Sequence, residues 1–230
     1  MKQEDESIKI GLVFPELRKH DFGHFKGILT KGKVTLDLIV FPEGFETIYP
    51  SRGLIEPETI RNNQDVQSII NKYREISSQY DMAVICGFQV SYDNRFANGG
   101  GHDQYCMYVS PDGQEYIYHK HSTSKYNAFF DKNWSIDNNL KTFPLGVHRI
   151  GISVCHDSYI SLFSRLFAKK GADIWVNISY QNVRSNIWEQ VHFTRAVDSN
   201  LISICTLHRN SYCWRRSKRA EYGGGGSVPT

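Results

Sequence analysis

Glu43, Lys120 and Cys155 stand at comparable places in the chain, each closing a run of residues that reads as a strand. In open α/β sheets, ligands bind beyond the carboxyl ends of the strands. A carboxylate, an amine and a thiol gathered there can form a covalent hydrolytic centre. The thiol would attack a carbonyl or nitrile carbon, and the carboxylate would remove its proton and later activate water. The ammonium, with the backbone N–H of His156 behind the nucleophile, would stabilise the developing oxyanion. A cation beside the cysteine, and the start of the helix expected behind it, would also favour the thiolate. Taken one at a time, these residues have plainer uses. Free cysteine commonly fills cores, a glutamate after proline suits a turn, and a lysine at a strand end is usually solvated.

The elements that must position them follow from periodicity. "IKIGLVF" (8–14) reads as a buried strand, and "TLDLIVFP" (35–42) as a second that ends at Glu43. In 57–80, Val66, Ile69, Ile70, Tyr73 and Ile76 recur at spacings of three and four, which predicts a helix with one apolar face and Pro57 in its first turn. "MAVICGFQV" (82–90) is rich in residues that suit a sheet. "DQYCMYVS" and "QEYIYHK" flank Pro-Asp-Gly and read as a hairpin, while 91–104 reads as an exposed loop. "HRIGISVC" (148–155) is a predicted strand, 158–171 a helix stopped by Gly171, and Asp157 a cap for that helix. A strand in "ADIWVNIS", a helix in "SNIWEQVHFTRAVDSN" and a strand in "LISICTL" complete the pattern. Strands alternate with helices, interrupted by one hairpin, so the sheet is mixed and the class is α/β or α+β with layered helices.

Composition narrows the function. The 230 residues suit one domain, expected over 1–222, with a Gly-rich tail at 223–230 that reads as a truncated end or a linker. Hydrophobic residues make up 40% and charged residues 22%, enough for a sizeable core. A net charge of +3 does not argue for nucleic acid, although "RNSYCWRRSKR" (209–219) interleaves arginines with aromatics. There is no apolar run of membrane-spanning length, and the polar start lacks a secretory signal. The five cysteines form no C-x-x-C pair, and the histidines show no metal spacing, which suits a reduced, cytoplasmic protein without a metal site.

The flanking words add a specific resemblance. "DLIVFPEGFETIYP", "YVSPDGQEYIYHKHS" and "IGISVCHDSY" resemble, in order, the glutamate, lysine and cysteine motifs of the nitrilase (carbon–nitrogen hydrolase) superfamily. "GADIWVNISY" and "RAVDSN" are similar to its following strand and helix, so the likeness spans about residues 8–210. The resemblance implies a four-layer α-β-β-α sandwich of the nitrilase type. It also implies a Glu–Lys–Cys triad at Glu43, Lys120 and Cys155, and hydrolysis of a non-peptide C–N bond in an amide-type small molecule through a thioester. No cofactor is implied, and a homodimer or larger homo-oligomer is. Two alternatives share the motifs: an N-acyltransferase that uses the same thioester, and a catalytically silent binding module.

The chain departs from the family pattern at several positions. His119 replaces the arginine before the lysine, and Ser122-Thr123 replace His-Leu. Lys132 stands where many members carry a second glutamate, with Asp131 beside it, and Ser161 replaces a proline after the cysteine motif. "YGGGGSVPT" resembles a Gly-x-Ser…Pro strand whose usual following segment is missing. Tyr49, Lys132, Tyr159 and Tyr180 are the candidate substrate contacts, although tyrosines at such places also serve packing. His119 and His121 flank Lys120 on a strand and so are expected on the face opposite it. The loops 44–56, 91–104 and 122–140 would shape the pocket.

Overall fold

The central strands of the two sheets are buried on both faces. The computed structural model describes residues 7–14, 25–27, 29–30, 35–49, 57–91, 102–122, 140–180 and 185–207. The first sheet holds β1 (Ile10–Leu12), β2 (Leu38–Val40), β3 (Glu46–Ile48), β4 (Ala83–Ser91), β5 (His102–Val109) and β6 (Glu115–His119). Its order is β1-β2-β4-β5-β6, with β3 also paired to β4. The first four strands run parallel and the β5–β6 hairpin antiparallel to its neighbours. The second sheet has the order β10-β9-β8-β7, from β7 (Thr142–Leu145), β8 (His148–Val154), β9 (Ile174–Ser179) and β10 (Ile202–Leu207). Only β7 is antiparallel in that sheet, and it is an edge strand that tolerates Pro144.

The period of two sorts residues into layers. Leu38, Val40, Ala83 and Ile85 meet Ile150, Ile152, Val154, Val176 and Ile178 in the core between the sheets. Ile39, Phe41, Val84, Cys86 and Phe88 face the other way, onto Val66, Ile70, Tyr73 and Ile76 of α1 (Gln64–Tyr80). On the far side of the second sheet lie α2 (Ser161–Lys169) and α3 (Ser185–Ser199). A Cβ at Gly151 of β8 would meet the Phe167 ring at 2.5 Å, so its absence lets α2 lie directly on the sheet. The result is the expected α-β-β-α sandwich.

Several boundaries differ from the sequence reading. Residues 10–12 form an edge strand that is only partly buried, because β1 pairs with β2 alone. Pro57 opens a separate 3-10 turn (Pro57–Asn62). The helix starts at Gln64, where the Asn63 side chain accepts from the N–H groups of Asp65 and Val66. The strands reach further into the expected loop by Ser91 and His102, which pair with each other. Cys155–Tyr159 forms a 3-10 turn, which delays α2 to Ser161.

Candidate active site

Glu43 is positioned by a turn rather than by a strand. β2 ends at Val40, and the chain then crosses the sheet as Phe41-Pro42-Glu43-Gly44. Two glycines allow this. Gly44 takes φ +63°, and a Cβ at Gly87 of β4 would lie 2.4 Å from the Pro42 carbonyl oxygen and 2.6 Å from the Glu43 Cα. The turn therefore rests on bare backbone. The Glu43 side chain is 3% exposed as a residue, yet its oxygens are engaged. Lys120 Nζ donates to Oε1 at 2.7 Å, and the Tyr180 backbone N–H donates to Oε2 at 2.8 Å. Breaking a buried pair of this kind by removing one partner costs about 3–5 kcal/mol, because the other charge is stranded.

Lys120 follows the last residue of β6, and its N–H continues the ladder to the Gln104 carbonyl at 2.9 Å. Burial works against its charge, but Glu43 and Cys155 outweigh that and hold the ammonium above its ordinary range. Cys155 follows β8 immediately and has a left-handed backbone, φ +48°. Its thiol is buried, and Glu43, Lys120 and the Tyr180 N–H all act on it electrostatically. Burial and then Glu43 push the thiol well up, and Lys120 opposes them without winning. The expectation of a favoured thiolate is thus corrected: desolvation and the facing carboxylate outweigh the lysine. The five-residue turn behind Cys155 also replaces the expected helix start.

A second buried carboxylate ties the lysine loop to the turn that begins at Cys155. Asp157 does not cap α2. Its Oδ1 accepts from Ser122 N at 2.9 Å and Ser122 Oγ at 2.8 Å, and its Oδ2 from Tyr118 Oη at 2.7 Å and Val154 N at 3.3 Å. Burial raises its pKa, while these donors and Lys120 pull the other way. The far end of the turn is held from α3, where Arg195 donates to the carbonyls of Ser158 (3.1 Å) and Tyr159 (3.0 Å). Asn177 of β9 donates to the Cys155 carbonyl at 3.3 Å and to Ser153 Oγ at 2.8 Å. A carboxylate, an ammonium and a thiol therefore share one buried point between the ends of the two sheets.

Residues 26–223 match the pattern of the carbon–nitrogen hydrolase family. The chain belongs to that family. No curated protein sequence matches it significantly. Among solved structures, it is similar to an amidase of the nitrilase superfamily from Nesterenkonia AN1, at 15% identity over 87% of this chain and 76% of that one, with a TM-score of 0.61. It is similar to a carbon–nitrogen hydrolase from Helicobacter pylori G27, at 17% identity over 87% and 73%, TM-score 0.61. A third is a CN-hydrolase superfamily protein from Xanthomonas campestris with an arsenic adduct in its active site, at 19% identity over 87% and 76%, TM-score 0.60. At these identities the likeness is one of fold.

In this member of the family the other expected contacts separate. Tyr180 joins the site through its backbone N–H. Tyr159 packs its ring on His156 (centroids 5.0 Å apart) and on Trp188 (5.7 Å). Tyr49 is 75% exposed, and no described contact brings it to the triad. His156 follows the nucleophile as expected, and its ring Nδ1 lies 3.1 Å from Ser122 Oγ. Lys132, Asp131 and the basic stretch 209–219 lie outside the described residues. His119 stacks on Tyr105, but His121 is past the end of β6 and stacks on Phe163 of α2, so it does not keep to the face opposite Lys120. Gly87, Ser122, Asp157, Asn177 and Arg195 were missed as site residues. Only Gly87, a glycine within a strand, gave a local signal. Among the described residues, no cluster of three or more potential metal ligands occurs, and no helix is long and apolar enough to cross a membrane.

Proposed function

We propose that this chain hydrolyses an amide-type C–N bond through a thioester on Cys155. The observation that carries the reading is the buried Lys120–Glu43 pair, 2.7 Å apart, whose two charges both act on the buried Cys155 thiol. In the resting site the thiol keeps its proton and Glu43 is the acceptor beside it. As Sγ attacks the amide carbon, the proton passes to Glu43, so no free buried thiolate needs to accumulate. Lys120 and the His156 backbone N–H face the negative charge that develops on the carbonyl oxygen. Glu43 then delivers its proton to the leaving nitrogen, and the amine departs from the thioester. A water molecule enters, gives a proton to Glu43 and attacks the same carbon. The C–S bond breaks, the carboxylic acid leaves, and the thiol is re-protonated. Family membership and the amidase among the structural neighbours support this substrate class.

The test is release of ammonia from simple aliphatic amides, with the intact mass of the protein read in parallel. Wild type should turn over and show an acyl adduct on Cys155. Cys155→Ala should lose at least about 10³-fold in rate, the scale of removing a catalytic nucleophile, with its circular dichroism unchanged. Turnover retained in Cys155→Ala would remove the thioester mechanism.

A further inference from the structure

The side chain of His156 is not used by the chemistry above, yet it is fixed more tightly than a bystander requires. Its ring is half-buried, stacks on Tyr159 with centroids 5.0 Å apart, and places Nδ1 3.1 Å from Ser122 Oγ. Ser122 is two residues past Lys120, so this bond links the lysine loop to the residue adjoining the nucleophile.

The direction of the bond can be worked out. Asp157 receives two backbone N–H groups, those of Ser122 and Val154, which can only donate, and it faces Ser122 Oγ at 2.8 Å. A carboxylate in that position takes the hydroxyl proton of Ser122. The serine has one proton to give, so it presents a lone pair to His156, and Nδ1 must carry the hydrogen. Burial and then Lys120 disfavour the imidazolium, with Glu43 opposing them, so the neutral ring is the favoured form. Nε2 is left as an acceptor. The ring belongs to the chain neighbour of Cys155 and is hydrogen-bonded to Ser122, two residues past Lys120, which sets it at the proposed site.

We infer that His156 is a specificity-determining residue, held by Ser122 and Asp157 as the Nδ1–H tautomer so that Nε2 accepts a hydrogen bond from an O–H or N–H group on the acyl part of the substrate. The inference rests on the amidase reading and names its substrate class: amides with a hydrogen-bond donor close to the scissile carbonyl. An acyl group with a methyl in that place leaves Nε2 unpaired on loss of water, which a site built around an acceptor discriminates against. Asp157 and Ser122 act through His156 and are positioning residues.

Two measurements test it on the full-length chain. Long-range ¹H–¹⁵N correlation on labelled protein reads which ring nitrogen carries the proton, with the His156 signal assigned by its disappearance in His156→Phe. The expected result is Nδ1–H in wild type, and a shift toward Nε2–H in Ser122→Ala. An Nε2–H ring in wild type overturns the inference. The second measurement compares kcat/KM for glycolamide and propionamide, which differ by a hydroxyl against a methyl. Wild type should favour glycolamide by roughly tenfold or more, and His156→Phe should collapse that ratio toward one. A ratio unchanged in His156→Phe overturns the inference. Turnover of neither amide by wild type, with the Nδ1–H signature intact, would count against the amidase reading and not against the locked imidazole.

Discussion

The two sheets each end in a reactive residue, and they present it differently. Glu43 hangs beyond β2 in a turn whose unusual backbone is taken by a neighbour, Gly44, at φ +63°. Cys155 carries the unusual backbone itself, at φ +48°, directly after β8. The carboxylate side thus delegates its strain to glycines and holds its functional group with strong bonds, to Lys120 and Tyr180. The thiol side loads strain on the nucleophile and holds the backbone around it, through Asn177, Asp157 and Arg195. On the proposed mechanism Cys155 must be reached and must leave room for a tetrahedral centre, which suits a side chain left lightly bonded on a fixed main chain. A base and its counter-ion must stay charged in a dry place, so their side chains are the fixed part.

The largest expected effect on stability and turnover together breaks the carboxylate side through Gly87. In Gly87→Ala the new Cβ meets Pro42 O at 2.4 Å, Glu43 Cα at 2.6 Å and Ile178 Cδ1 at 2.8 Å, two of which are backbone-held. Overpacking of this kind costs about 1–3 kcal/mol. An ångström of displacement in a catalytic group costs about 10²-fold in rate. Urea unfolding and amide turnover should therefore both fall. Full turnover in Gly87→Ala would mean that Glu43 is not positioned by this contact.

The next effect exploits the opposed charges on the thiol. Glu43 raises the Cys155 pKa and Lys120 lowers it. Neutralising Glu43 in Glu43→Gln should move the pH midpoint of Cys155 alkylation down by about 1–3 units, the scale for a like charge in contact. Lys120→Met should move it up. The same Glu43→Gln variant should be inactive, so reactivity toward iodoacetamide and turnover should part company. Mass spectrometry of iodoacetamide-treated protein across pH checks both signs. A fall in reactivity in Glu43→Gln at neutral pH would reverse the assignment of the resting proton.

These expectations also show what the sequence made legible. Long strands made of apolar runs, such as β4 and β8, and the apolar stripe of α1 could be read directly, because their burial is continuous or repeats along the chain. Cys155 was legible because β8 runs straight into it. β3 and β7 were not read as strands. Glu46–Ile48 is three residues long, and its pairing is set by Phe88–Val90 of β4, some forty residues away. Thr142–Leu145 contains a proline that only an edge position excuses. Asp157 was misread because an acid two places behind a strand end looks like a cap. Its true partners, Tyr118 and Ser122, arrive from the hairpin of the other sheet. Arg195 was silent for the same reason, as it reaches across from α3. What the sequence lacks is the meeting of the two sheets, and most of the supporting residues act there.

Acid should weaken the thiol side first. His121 stacks on Phe163 of α2, and His192 stacks on Trp175 of β9; burial, with His119 and Arg195 respectively, lowers their pKa values to about 3 and about 4. An unfolded histidine titrates near 6.5. As pH falls below about 6.5, the unfolded chain takes up protons that the native state refuses, so stability drops. The loss runs at up to about 1.4 kcal/mol per pH unit for each residue, and ends near their folded values. Above about 6.5 neither contributes a slope. Urea midpoints at pH 7, 6, 5 and 4.5 should fall in step, and His121→Phe should flatten the slope by about one proton. An unchanged slope would put the acid sensitivity elsewhere.

The smallest effect goes to the heart of the contrast. An L-residue in the left-handed region costs about 1–2 kcal/mol that glycine does not incur. At Gly44, where the carboxylate side has delegated its strain, Gly44→Ala should lose about 1 kcal/mol, and its Cβ would also press on Gln89 Oε1 at 3.3 Å. At Cys155 the order should invert. Cys155→Gly should be more stable than Cys155→Ala by about 1 kcal/mol, although glycine within ordinary structure is the less stable choice. Both comparisons need only urea midpoints of inactive or near-inactive variants, so loss of catalysis does not obscure them. If Ala and Gly proved equal at 155, the φ of +48° would carry no cost there, and the nucleophile would sit as relaxed as the base. If the inversion holds, the strain at Cys155 is the part of this fold that stability alone would have removed.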